Sequence, residues 1–172
     1  TYVIYSTGSS DTRVYLYNSS GTELADDDDD GTDRNFRLQY NLNAGTTYRF
    51  AVGYYSASTT GTIPFKFGKV YTITYNANGG SSAPSSQTKD YGTALTLSST
   101  KPTRSGYTFL GWSTSSTATT STYSAGGTYS SEANVTLYAV WHKHSYTSRV
   151  TTAATCTTAG VRTYTCSVCS DS

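Results

Sequence analysis

Apolar and aromatic side chains return at every second position through long stretches of this chain, and that period fixes the backbone before any other feature does. In Asn35-Phe36-Arg37-Leu38-Gln39-Tyr40-Asn41-Leu42, the residues Phe36, Leu38, Tyr40 and Leu42 fall on one side while Arg37 and Gln39 fall on the other. Successive side chains of a strand point to opposite faces, so this segment reads as a strand with one packed face and one wet face. The same alternation places Tyr48, Phe50, Val52 and Tyr54 together, then Ile63, Phe65 and Phe67, then Tyr71, Ile73 and Tyr75, and finally Val135, Leu137, Ala139 and Trp141. Turn chemistry separates the runs: Asn18-Ser19-Ser20-Gly21, Asn43-Ala44-Gly45, Thr60-Gly61 and Asn78-Gly79-Gly80 supply residues that tolerate a reversal. The 17 tyrosines and the abundance of Thr favour pleated, half-wet surfaces over helices. An all-β chain is expected.

A length of 172 residues allows more than one small core, and two short domains are expected rather than one. No window approaches the roughly 20 consecutive apolar residues needed to cross a bilayer, so no membrane insertion is expected. Thr1-Tyr2-Val3-Ile4-Tyr5 reads as a strand rather than a signal peptide, which suggests a piece of a longer multidomain protein, monomeric within it. The net charge of +1 hides an uneven layout, with eight acids against five bases in residues 1–68 and three against seven in residues 69–172. Neither half is basic enough to suggest nucleic acid as a partner.

Three stretches resemble known families or repeats. The segments "VYTITYNANGG", "YGTALTL", "PTRSGYTFLGWST" and "NVTLYAVW" stand in the order and spacing of the internalin B-type repeat, also called the Listeria–Bacteroides repeat, over residues 70–141. That resemblance implies a β-grasp-like sheet with Trp112 and Trp141 in or beside its core, a place in surface proteins, and no catalytic residues. The segments "YLYNSSGTELADDDDD" and "LNAGTTYRFAV" resemble the bacterial pre-peptidase C-terminal domain, which implies a jelly-roll-like β-sandwich over residues 1–68. The expected organisation is therefore a sandwich at 1–68, a repeat at 69–141, and a short Cys/His-rich tail at 142–172. The tail resembles a short repeat found at the ends of clostridial-type surface proteins.

Asp26-x-Asp28-x-Asp30-Gly31 reproduces the first half of a calcium loop, where alternate carboxylates point inward and Gly permits a sharp turn. The second half fails, because Arg37 stands where a bidentate Glu is needed, and the flanks read as strands. An EF-hand is excluded. Five adjacent carboxylates still repel one another, and calcium could relieve that repulsion with help from Asp33. The competing reading is a solvated acidic loop.

In the tail, Cys166-x-x-Cys169 has the spacing of a zinc knuckle, and Cys156 with His144 would complete three thiolates and one imidazole. A segment with almost no aliphatic side chains cannot bury a core, so a metal or a disulfide is the physical means of holding it. The competing readings are a Cys156–Cys166 disulfide with Cys169 left over, and a tail with reduced thiols and no fixed structure.

A hydrolase would need His beside a nucleophile and an orienting carboxylate, yet both His lie in the tail. There is no G-x-S-x-G elbow, no H-E-x-x-H and no phosphate loop, so no enzyme is expected. Tyr15, Tyr17, Tyr54 and Tyr55 could offer aromatic faces to sugar rings, although cross-strand packing explains most tyrosines in a chain of this kind. The function expected is that of a non-catalytic, modular region of an extracellular bacterial protein, secreted or on the cell surface. It would serve adhesion, display or spacing toward a host or cell-surface protein or glycan. The alternative is a set of substrate- or carbohydrate-binding accessory domains on a secreted peptidase or glycan-degrading enzyme.

Overall fold

The computed structural model describes residues 1–166, which form strands and no helix. In chain order the strands are β1 (Tyr2–Ser6), β2 (Thr12–Asn18), β3 (Glu23–Asp27), β4 (Arg37–Tyr40), β5 (Tyr48–Tyr54), β6 (Phe65–Asn76) and β7 (Gln87–Asp90). They continue with β8 (Leu95–Thr96), β9 (Tyr107–Ser113), β10 (Thr128–Tyr129), β11 (Val135–Lys143), β12 (Tyr146–Thr152) and β13 (Val161–Cys166). The all-β expectation holds, and it holds because the period-two runs are the strands. The chain divides into two compact units, the first holding Thr1–Thr72, Thr88–Leu95 and Ser130–Asn134, the second Ile73–Gln87, Thr96–Tyr129 and the chain from Val135 onward.

In the first unit β1 is flanked antiparallel by β4 and by the start of β6, so that Ile4 stands opposite both Leu38 and Phe67. A second antiparallel sheet runs β3-β2-β5, with Val14 opposite Asp27 on one side and Val52 on the other. Ile4, Val14, Leu16, Phe36 and Leu38 fill the space between these sheets, and Ala25, Leu42, Phe50 and Ile63 pack around them. Phe36 and Leu16 have no exposed surface, while Gln39 on the opposite face of β4 is exposed. This is a sandwich-like core. Burying each such large apolar side chain contributes roughly 1.5–3 kcal/mol, which is what makes the alternation decisive.

In the second unit the end of β6 pairs parallel with β11, Ile73 opposite Val135, and β11 pairs antiparallel with β9, Ala139 opposite Trp112. Parallel neighbours need a long crossover, and here it is built from short strands and turns instead of the usual helix. Ile73, Tyr75, Leu97, Trp112, Tyr129, Leu137 and Ala139 are buried. Trp112 has no exposed surface, with its ring centroid 4.9 Å from those of Tyr75 and Phe109. Trp141 lies at the margin instead, where its Nε1–H donates to Ala77 O (2.9 Å) and Asn78 O (3.1 Å). The expected placement of both tryptophans is met.

The segment Asn78-Gly79-Gly80 is fitted to that contact. Asn78 takes a positive φ of 48° and its Nδ2 donates to Ser116 O (2.8 Å) and Ala139 O (3.0 Å). A Cβ on Gly80 would stand 2.5 Å from both Thr103 O and Trp141 Cζ2, closer than any side chain allows. Gly111 is required for a similar reason: at φ 137° its Cβ would fall 2.5 Å from Tyr123 O. There Trp112 N–H donates to Tyr123 O (2.7 Å), and the pairing of β9 with β11 slips between Val140 and Trp141. A bulge of this sort adds a residue to one strand and bends it.

Candidate functional site

The acidic run begins in β3 and ends in a loop closed by two side chains. Asp27 accepts Arg37 N–H at 2.7 Å and Asp30 N–H at 3.4 Å, which ties the start of the loop to the start of β4. Asn35, buried in the loop's far end, donates from Nδ2 to Gly8 O (2.7 Å) and Thr32 O (2.5 Å) and accepts from Ser6 Oγ at 2.7 Å. Burial pushes the Asp27 carboxyl up from its ordinary value, with Asp30 adding repulsion, against the downward pull of the Arg37 amide. The residue that organises this loop is thus Asp27, which falls between the alternate positions of a calcium pattern. Asp26 is an exposed β3 residue opposite Tyr15, Asp28 and Asp30 lie in the bend that follows, and Asp33 sits exposed in a left-handed turn at φ 57°. Asp26, Asp28, Asp30 and Asp33 are not brought together as a cation cage, and no three His, Cys, Asp or Glu converge anywhere among the described residues. Beside the loop, Ser9, Asp11, Asp33 and Arg34 line an open polar depression, spanned by an exposed Arg34–Asp11 pair at 3.8 Å.

The four tyrosines do not share one platform. Tyr15 and Tyr17 lie on the outer face of β2, stacked with centroids 6.3 Å apart, and the Arg13 guanidinium rests 5.5 Å from the Tyr15 ring. Tyr54 stands opposite buried Thr12, with the parity of the core face, and its hydroxyl donates to Thr62 O at 3.2 Å. Tyr55 is more than half exposed. Only the Tyr15–Tyr17 pair forms a continuous aromatic surface.

A second polar cluster in the first unit carried no motif in the sequence. Arg37 donates to Asp90 from Nε at 2.6 Å and from Nη2 at 2.8 Å, and Gln39 Nε2 donates to the same carboxylate at 3.3 Å. Lys89 has no exposed side-chain surface, and its ammonium meets Glu132 Oε1 at 2.9 Å above the Tyr71 ring. Burial works to raise the Glu132 carboxyl, but hydrogen bonds from Lys89 and from Gly92 N–H, with the Lys89 charge, hold it below its ordinary value. Tyr5 donates to Tyr91 O at 2.8 Å and Lys66 to Gly92 O at 2.9 Å. These contacts pin Thr88–Leu95 and Ser130–Asn134 against the β1–β4–β6 sheet. The cluster reads as an anchor, since its charges face one another and none is left over for a ligand.

The tail is an antiparallel hairpin of β12 and β13, with Tyr146 opposite Cys166 and Thr152 opposite Val161. Every residue of β12 is exposed, and Tyr146, Val150, Val161 and Tyr164 carry the exposed apolar surface. Cys156, a free exposed thiol, lies in the loop at the hairpin's tip, while Cys166 is buried at its base. The five residue steps of β13 from Val161 to Cys166 span roughly 16 Å of strand, which sets the tip of the hairpin too far from its base for a disulfide or a common metal. His144 is also committed: Nε2 is hydrogen-bonded to Thr108 Oγ1 (2.7 Å) and Nδ1 to the Tyr146 hydroxyl (2.8 Å). The imidazole facing Cys166 Sγ is that of His142, whose Nε2 is 3.7 Å away. The set His144, Cys156, Cys166 and Cys169 is therefore not assembled among the described residues, and Cys169 lies outside them.

Comparison with known proteins gives one family. The model of the Listeria-Bacteroides repeat domain matches residues 71–140, the span carrying the Asn78–Gly80 turn, Trp112 and Trp141. That repeat is a domain found in bacterial surface proteins. The resemblance of residues 1–68 to the pre-peptidase C-terminal domain gains no support. No curated protein and no solved structure matches the chain.

Proposed function

We propose that this chain is a non-catalytic, modular stretch of a bacterial cell-surface or secreted protein, serving adhesion, display or spacing. The observation that carries the reading is the repeat match at residues 71–140, whose signature residues the fold uses for packing: Gly80 and Gly111 for close approach, Trp112 for the core. A jelly-roll-like sandwich at 1–68 followed by a β-grasp-like repeat would give a series of small β-domains able to carry a surface outward. The charged groups best placed for acid–base work, Lys89, Glu132, Arg37 and Asp90, neutralise one another. A host or cell-surface protein or glycan is the partner class that fits such a stretch, with no nucleic acid involved.

The second reading, a carbohydrate-binding accessory region of a secreted peptidase or glycan-degrading enzyme, rests on the Tyr15–Tyr17 surface. Aromatic faces of this kind stack on the apolar faces of sugars. A glycan array separates the two. Signal that disappears in Tyr15→Ala supports the accessory role; an empty array, together with retention of chain-coated beads on cultured epithelial cells, supports adhesion to a protein.

A further inference from the structure

We propose that the outer edge of β5 is a self-association surface, at which two copies of this chain join their β3-β2-β5 sheets antiparallel about a two-fold axis through Ala51. Two inward residues are left part-covered without such a partner. Phe67 stands opposite Ile4 and Phe65 opposite buried Ser6, so both belong to the face of β6 that is turned to the core. Yet they are 43% and 53% exposed. Phe67 meets the second sheet at its last strand, with its ring centroid 5.5 Å from that of Phe50, and among the described residues no strand pairs with the other edge of β5. The second sheet is one strand short of covering the two rings.

The two edges of that sheet are built differently. β3 carries Glu23, Asp26 and Asp27, and its pairing with β2 shifts register between Leu16 and Tyr17. Charged side chains and a bulge are the means by which an edge refuses another strand. β5 runs seven residues in unbroken register with β2, holds no proline and carries one charge, Arg49. Its sequence, Tyr48-Arg49-Phe50-Ala51-Val52-Gly53-Tyr54, is nearly symmetric about Ala51. Paired antiparallel with a second copy of itself, β5 sets Tyr48 opposite Tyr54, Phe50 opposite Val52 and Arg49 opposite Gly53, so the core face meets aromatic and aliphatic partners and like charges never stand opposite. That symmetry selects a second copy over an unrelated strand. A two-fold axis normal to the sheet keeps both core faces on one side, where Phe65 and Phe67 of each copy close over the joined strands. Tyr15 is the β2 partner of Ala51, so the two Tyr15 side chains come to share one outer face, three strand spacings or roughly 14 Å apart. Such a dimer stands in place of the monomer that the sequence suggests, and it presents the Tyr15–Tyr17 surface twice.

The contact is small. One strand and two phenylalanines per copy fall short of the roughly 800 Å² per partner of a standard interface, so an apparent Kd of about 100 μM is expected. The test is sedimentation velocity of the full chain from about 10 μM to about 1 mM, with reductant present to prevent a disulfide through exposed Cys156. Ala51→Lys, at an exposed position, sets two ammonium groups against each other across the axis, and Phe65→Ser removes apolar cover. Each should weaken dimerisation at least about tenfold, while Val150→Lys on the exposed tail hairpin stays within about threefold. Amide exchange over residues 48–54 should slow as the parent's concentration rises and not in Ala51→Lys, and equal thermal melts of the dilute proteins show that the variants fold. A chain still monomeric at about 1 mM overturns the proposal and leaves the β5 edge to a strand of another protein. Unchanged affinity in either Ala51→Lys or Phe65→Ser, or loss of the dimer in Val150→Lys, overturns it as well.

Discussion

Arg37 holds Asp90 through two parallel hydrogen bonds, Nε at 2.6 Å and Nη2 at 2.8 Å, across 53 positions of sequence. The geometry is the planar fork that guanidinium alone can offer a carboxylate, and Asp90 is mostly buried while Arg37 is about one-third exposed. It is one of the contacts that seat Thr88–Leu95 in the first unit. A double-mutant cycle with Arg37→Ala and Asp90→Ala should therefore give a coupling energy of about 1–2 kcal/mol by urea denaturation, well above an exposed pair. Arg37→Lys should recover less than half of it, because an ammonium cannot make both bonds.

Lys89 and Glu132 differ from that pair in burial, since the lysine side chain is wholly enclosed and the glutamate is 36% exposed. Removing the acid strands a cation away from water. Glu132→Gln should cost about 2 kcal/mol, less than a fully buried pair because solvent still reaches one side, and Lys89→Met in the same chain should restore most of it. The pH dependence follows from the direction of the shift. The folded Glu132 carboxyl is held below its ordinary value, so its contribution is full above the unfolded pKa and is lost as pH falls through the depressed folded value. Urea midpoints measured from neutral pH downward should converge between the parent and Glu132→Gln in that acid range.

Asp27 should show the opposite sign. Its carboxyl is raised in the folded protein, chiefly by burial, so the stability it contributes is present below the unfolded pKa and lost as pH rises through the folded value. Asp27→Asn keeps an oxygen to accept the Arg37 amide and removes the charge. It should stabilise the chain at pH 7 by under about 1 kcal/mol, a modest figure because the group is only part-buried, and the gain should vanish as pH drops toward about 4. Thermal melts of the two proteins at neutral and acid pH check this.

The repeat's glycines make a third kind of prediction. Gly80→Ala puts a methyl onto Trp141 and the Thr103 carbonyl, and Gly111→Ala puts one onto the Tyr123 carbonyl. Backbone cannot yield as a flexible side chain can, so each should cost about 3 kcal/mol or more. Gly21→Ala, where nothing lies within 4 Å, carries only the penalty of its positive φ and should cost about 1 kcal/mol. Chemical denaturation of Gly80→Ala beside Gly21→Ala separates close approach from backbone strain, and Gly111→Ala, at φ 137°, carries both.

What could be read from the sequence was whatever period and local chemistry encode. Phe36, Leu38, Ile73, Leu137 and Ala139 announce their faces by alternation, and all are buried. Long-range pairings left no such trace. Arg37 looked like one more outward residue of β4, and its partner Asp90 lies in a segment that reads as part of the repeat. In the acidic run, spacing drew attention to Asp26, Asp28 and Asp30, whereas the loop is closed by Asp27, which is picked out only by the Arg37 amide that meets it. In the tail both histidines sit two residues apart on paper. The end of β11 at Lys143 separates them: His142, still in the strand, meets Cys166, while His144, beyond it, bonds to Thr108 and Tyr146. The Tyr15–Tyr17 stack was visible as an i, i+2 pair, while the opposite face taken by Tyr54 follows from its pairing with Thr12.

The central claim, a module carried outside the cell, is tested most directly by immunolabelling of intact, unpermeabilised cells of the source organism with antibodies raised against residues 1–166. The account predicts labelling of intact cells, or antigen in the culture fluid, with the signal on cells abolished by external protease. Antigen found only after permeabilisation, in the soluble fraction and protected from that protease, would contradict it.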